Sequence, residues 1–108
     1  MASNSLSYVG LAHKAGKTLV GTAACESGLK RGSVRLLLLQ EGMSPSSIRK
    51  FEYLCGKENV DVLTVSMYDK LGLAIGKPEI MVLGITDFGF ADAIKNIFIG
   101  GQGSSIDE

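Results

Sequence analysis

The chain has 108 residues, 45% hydrophobic and 20% charged, with eleven cations set against eleven acids. That is enough for one globular core and no more; the apolar content excludes extensive disorder, and a net charge of zero gives no global attraction to a polyanion. The charges are nevertheless asymmetric, since residues 1–50 hold seven cations and two acids while residues 51–108 hold four cations and nine acids. The first half therefore carries a local positive potential that the neutral total hides.

The N-terminal MASNS lacks the basic segment and apolar run of a signal peptide, and the longest aliphatic stretch, residues 36–39, is far too short to span a bilayer. The expectation is a cytoplasmic protein with no membrane partner. Two isolated cysteines, Cys25 and Cys55, and a single histidine, His13, offer neither a disulfide framework nor a zinc set. Both thiols are expected to be reduced and buried, and no metal or other cofactor is expected.

In chain order, Tyr8, Leu11, Ala12 and Ala15 recur at helical spacing and predict an amphipathic helix stopped at Gly16. Thr18, Leu19 and Val20 make a short strand. Gly21 then opens a second helix whose inward face, Ala24, Cys25, Gly28 and Leu29, is small enough to lie close to a sheet, with Gly32 as its C-cap. Residues 34–39 are aliphatic except for Arg35, which suits a central strand covered on both faces. Ser44 followed by Pro45 is an N-cap with proline at the first helical position, and Ile48, Phe51, Leu54 and Cys55 give that third helix its apolar face, ending near Gly56.

Residues 60–65 are β-branched and half alternating, a third strand. Ser66 and Asp69 resemble a capping box that starts a short helix closed by Gly76. Residues 80–85 read as a second buried strand, and Asp87 caps a last helix with Phe90, Ala93, Ile94, Ile97 and Phe98 on one stripe. Residues 99–108 are rich in Gly and Ser and end in acids, so the folded domain is placed at 1–98 and a flexible tail at 99–108. Strict alternation of helix and strand predicts an α/β fold with a four-stranded sheet between two helical layers.

No constellation argues for an enzyme. The run from Gly10 to Thr18 invites a phosphate-loop reading, but five residues separate its glycines where that motif has four, and it ends a helix where it should open one. His13 has no legible nucleophile or orienting partner, the carboxylates are scattered, and the aromatic residues at helical spacing default to core packing. What remains is a set of cations, Lys17, Lys30 and Arg31, with Gly21 and Thr22 at the start of the second helix, where free N–H groups and the helix dipole favour a phosphate.

Three segments, GLAHKAGK at 10–17, LGLAIGK at 71–77 and TDFGFA at 86–91, resemble in sequence and order the signature segments of the bacterial YlxQ-type branch of the ribosomal L7Ae/L30e superfamily. The resemblance covers about residues 6–98. It implies a three-layer α-β-α sandwich with a mixed four-stranded sheet, and binding to kinked or internally looped structured RNA, ribosomal RNA among the candidates. In kink-turn binders of that superfamily the glycine opening the second helix is followed by Asn, Glu and Lys that read the RNA; here those positions are Ala23, Ala24 and Ser27. The second family contact is the loop carrying Lys77, which Glu79 opposes in charge. The RNA-binding set expected on these grounds is Lys14, Lys17, Gly21, Thr22, Lys30, Arg31 and Lys77, contacting mainly RNA backbone in a ribosome-associated accessory protein without a small-molecule substrate. The alternative is a protein-interaction module that kept the fold and lost the RNA-reading residues.

Overall fold

Every residue of the strand β2, Leu36–Gln40, is buried, and the rest of the molecule is arranged around it. A computed structural model describes the backbone of residues 2–106 and the side chains of residues 6–98. The elements are α1 (Ala2–Lys14), β1 (Thr18–Val20), α2 (Thr22–Arg31), β2, α3 (Pro45–Glu58), β3 (Asp61–Val65), a 3₁₀ helix (Leu71–Ile75), β4 (Val82–Ile85) and α4 (Phe88–Ile106). The sheet order is β1-β4-β2-β3. β4 pairs antiparallel with both β1 and β2, and β2 pairs parallel with β3. The sheet is therefore mixed, with the two most aliphatic strands in its centre, as their continuous hydrophobicity requires.

Alternation along the strands sends side chains into two cores. Leu36, Leu38, Leu83 and Ile85 pack against Val9 and Ala12 of α1, Leu71, and Ala91 and Ile94 of α4. Leu37, Leu39 and Val82 pack on the opposite face with Cys25 and Leu29 of α2 and Phe51, Leu54 and Cys55 of α3. This is the three-layer α-β-α sandwich. α2 approaches the sheet at Gly28, where an added methyl would overlap the end of the Leu19 side chain and force it to shift.

Most local signals act as expected. Ser47 N–H donates to Ser44 Oγ with Pro45 at the start of α3, Phe90 N–H donates to Asp87 Oδ2, and Gly32 and Gly76 close their helices in left-handed conformations. Three expectations are corrected. The buried face of α1 is Val9 and Ala12, while Leu11 is half exposed, because Gly10 brings the helix against the Ala74 carbonyl and turns Leu11 toward the flank. Ser66 opens no helix; its Oγ accepts from Tyr68 N–H in a tight turn, and the helix that follows is 3₁₀ and begins at Leu71. Tyr53, Tyr68 and Phe88 are exposed and take no part in the core expected for them. The last helix continues in backbone to Ile106, past Phe98; the expected flexible tail lies outside the residues whose side chains are described. Among the described residues no helix is long and apolar enough to cross a membrane.

Candidate nucleic-acid interface

The strand directions gather four connections at one end of the sheet: Gly21 after β1, residues 76–81 before β4, residues 41–44 after β2 and residues 66–70 after β3. They span about 15 Å, three strand spacings. Gly21 N–H donates to the Val82 carbonyl at 3.0 Å and Gln40 N–H to the Met81 carbonyl at 2.8 Å. The C-terminal end of the loop carrying Lys77, Met81 and Val82, is thereby seated between the start of α2 and the end of β2. Gly21 has φ 94, a conformation that side chains rarely adopt, and the helix it opens has no side-chain cap. The N–H groups of the first turn of α2 thus point out of the helix start without a capping side chain, and Thr22 is exposed beside them. Lys77 is exposed and fixed through its backbone, its N–H donating to the Gly72 carbonyl at 2.8 Å. Glu79 is exposed on the same loop and opposes that charge.

Two features of this end were not legible in sequence. Gln40 is buried and ties the end of β2 to the connection after β3: its Nε2 donates to the carbonyls of Val65, Ser66 and Asp69 at 3.1–3.3 Å, and its Oε1 accepts from Leu71 N–H at 2.7 Å. Tyr68, 90% exposed, stands on the connection that Gln40 holds. A polar residue closing an aliphatic strand was the available signal for the first; nothing in the sequence distinguished Tyr68 from the buried aromatic residues.

The outer face of α2 presents Ala23, Glu26, Ser27, Lys30 and Arg31 along a shallow groove. Its cations are not free. Lys30 Nζ lies 3.4 Å from Glu26 Oε2, Lys50 Nζ of α3 lies 3.2 Å from Glu26 Oε1, and an Arg31 guanidinium nitrogen donates to Ser27 Oγ at 2.7 Å. The Lys50 hydrogen bond, followed by that of Lys30, holds the Glu26 carboxyl below its usual range.

Lys14 and Lys17 do not join this set. Lys17 precedes β1 and Gly21 follows it, so three strand residues, about 10 Å, separate them. The Lys17 carbonyl accepts from Thr86 N–H at 2.9 Å, which fixes it at the opposite end of the sheet. The structure keeps Gly21 and Thr22 at the same end of the sheet as the loop that carries Lys77, lays Lys30 and Arg31 along α2, fixes Lys17 at the opposite end, and places Lys14 along a groove with Tyr68. Cys25 and Cys55 are buried free thiols, raised by desolvation to about 12 and about 11 respectively, so neither offers a thiolate. Among the described residues no cluster of His, Cys, Asp and Glu could hold a metal ion.

The chain is 30% identical over 89 residues to the RNA-binding protein YlxQ of Bacillus subtilis (strain 168), covering 82% of this chain and 89% of that one. It is also 30% identical over 94 residues to the large ribosomal subunit protein eL8 of Picrophilus torridus, covering 85% of this chain and 74% of that one. Among solved structures, a protein of unknown function from Bacillus halodurans C matches with TM-score 0.79 and 32% identity over 84% of this chain and 92% of the other. The Giardia lamblia 15.5kD RNA binding protein matches with TM-score 0.73 at 16% identity, over 93% of this chain and 86% of that one, a likeness of fold. The family model for ribosomal proteins L7Ae, L30e, S12e and Gadd45 matches residues 3–95, a family of ribosomal and RNA-binding proteins and not of enzymes. The α-β-α sandwich with its glycine-opened second helix thus belongs to the ribosomal protein L7Ae/L30e/S12e/Gadd45 family.

Proposed function

We propose that this protein binds structured RNA, as a ribosome-associated accessory factor in the cytoplasm, and holds it mainly by the backbone. The observation that carries this reading is the uncapped start of α2 at Gly21, at the same end of the sheet as the loop that carries the exposed Lys77 and ends in the Gly21–Val82 hydrogen bond. N–H groups and a helix dipole there accept a phosphate, Lys77 adds counterion release, and Tyr68 offers a ring on which an unpaired base stacks. Support comes from the family and from the names of the relatives.

The base-reading part of the site is reduced. Ala23 and Ala24 cannot hydrogen-bond base edges, and Ser27 is engaged by Arg31. Kinked RNA is therefore held by shape and charge, with little selection for its non-canonical pairs. Sequencing the RNA that copurifies from gentle lysates tests this reading. Structured RNA should be recovered with the natural protein and lost with Thr22→Asp/Lys77→Glu; equal recovery by both contradicts it.

One observation favours the second reading, a protein-interaction module: a groove between α1 and residues 68–75 is lined by Leu6, Leu11, Tyr68, Leu73 and Ile75. RNA binding that stays flat at low salt selects that reading.

A further inference from the structure

Two of the segments singled out in the sequence, GLAHKAGK and TDFGFA, meet in space at the end of the sheet opposite Gly21. Lys17 and Arg35 flank the end of β4 from its two neighbouring strands. The Lys17 carbonyl accepts from Thr86 N–H at 2.9 Å on the β1 side, and Arg35 N–H donates to the Ile85 carbonyl at 2.7 Å on the β2 side. Their backbones are thus two strand spacings, about 10 Å, apart. The Arg35 guanidinium lies 4.6 Å from the centre of the Phe88 ring and donates to the Gly32 carbonyl at 3.1 Å, which holds its plane in place. Phe88 is 66% exposed although it is a large apolar residue at the start of α4.

The charges here differ in kind from those on α2. Lys30 and Lys50 are both held by Glu26, whereas Lys14, Lys17 and Arg35 take part in no ion pair among the described residues. Acids lie close as well: Asp87 caps α4 by accepting from Phe90 N–H at 2.9 Å, the exposed Asp92 follows Phe88 by one turn, Glu58 stands beside Gly32, and Asp61 is paired with Lys95 at 2.7 Å. An exposed ring under a guanidinium, with a further cation free of ion pairs two strand spacings away, offers the elements that hold single-stranded nucleic acid: phosphates on the cations, a base on the ring.

We infer that this end of the sheet is a second RNA-binding surface, separate from the Gly21 end, which takes an unpaired RNA segment through Lys17, Arg35 and Phe88. The inference rests on the reading that the protein binds RNA. It gives the protein two RNA contacts on opposite ends of one sheet, so that a folded RNA and a neighbouring unpaired stretch are held together. Base edges are not read here, because every base offers a face to the ring.

The test is fluorescence anisotropy with two labelled probes, a twelve-nucleotide oligouridylate and a hairpin carrying an internal loop. Lys17→Glu/Arg35→Glu should weaken oligouridylate binding roughly tenfold or more and make the log–log salt slope shallower by about 1.4, the expectation for two phosphate contacts on a single strand. Phe88→Ala should weaken it roughly fivefold to a hundredfold with the slope unchanged, since stacking releases no counterions. Lys77→Glu should weaken the hairpin much more than it weakens oligouridylate. If the Arg35 variant fails to fold, Lys17→Glu alone, which changes only an exposed side chain, should give the same direction of change. Oligouridylate binding untouched by the far-end variants, or reduced as much by Lys77→Glu, overturns the second surface while hairpin binding stands. Failure of the natural protein to bind either probe overturns the RNA reading and this inference with it.

Discussion

Lys50 Nζ of α3 lies 3.2 Å from Glu26 Oε1 of α2, and Lys30 Nζ shares the same carboxylate. One acid therefore engages two cations at the groove beside the helix start and leaves the cluster a single net positive charge. Glu26→Gln should leave stability nearly unchanged, because exposed pairs contribute little. The same change should tighten binding to structured RNA several-fold at low salt and steepen the log–log salt slope by up to about 2 as two lysines become free for phosphates. Titration with a labelled hairpin at several salt concentrations measures both. An unchanged slope would mean that the α2 face does not meet RNA.

Gln40→Leu removes the amide that joins β2 to the connection after β3. Leu71 N–H and the Asp69 carbonyl lose their Gln40 partner in a closed part of the structure. The expected cost is about 2–4 kcal/mol, the penalty for stranding such groups, visible as a lower urea midpoint with the m-value unchanged. Hydrogen exchange should quicken at Tyr68 and Leu71 before it does in β4.

The central strands were legible because continuous aliphatic sequence has one economical use, a strand covered on both faces. Caps were legible because Ser44, Asp87 and Gly32 act within four residues of themselves. The charged site was not, for a geometric reason. Lys17 and Gly21 are four positions apart in the chain, but an extended strand lies between them and carries them to opposite ends of the sheet. Glu26 and Lys30 are an i,i+4 pair within α2, but the addition of Lys50 depends on α3 lying beside α2, a relation that no local pattern encodes. The inward face of α1 was misjudged because Val9 and Ala12 make a stripe overlapping the one through Tyr8 and Leu11, and only the close approach at Gly10 decides between them.

Gly72 accepts Lys77 N–H, and a methyl group at Gly72 would overlap the Lys77 carbonyl oxygen. Because that neighbour is backbone, the loop must move. Gly72→Ala should cost about 1–3 kcal/mol by overpacking and, through displacement of Lys77, weaken hairpin binding while sparing oligouridylate. Thermal unfolding and the two anisotropy titrations check the two halves of this expectation.

Burial raises the Cys25 thiol from 9.0 to about 12 and the Cys55 thiol from 9.0 to about 11. The sign follows from linkage. Below about pH 9 both states hold the proton and stability is flat with respect to these groups; above it the unfolded chain loses protons that the folded chain keeps, so stability falls as pH rises toward the folded values. Neither thiol should react with a disulfide reagent near pH 8 in the native protein, and both should react in urea. Cys25→Ala should make the fall in urea midpoint above about pH 9 shallower.

The proposed mode of binding holds structured RNA by charge and shape, with Ala23, Ala24 and Ser27 at the positions where kink-turn binders carry reading residues. Its most direct test is the affinity for a kink-turn RNA and for the same RNA with its sheared G·A pairs replaced, measured for the natural protein and for Ala23→Asn/Ala24→Glu/Ser27→Lys. Two base-edge contacts are worth about 2–6 kcal/mol, roughly thirtyfold to ten-thousandfold in affinity. The natural protein should bind both RNAs alike, with a log–log salt slope of about −2 to −3, and the triple variant should gain affinity and preference for the intact kink-turn. Tight binding by the natural protein that collapses when the G·A pairs are replaced would contradict the account.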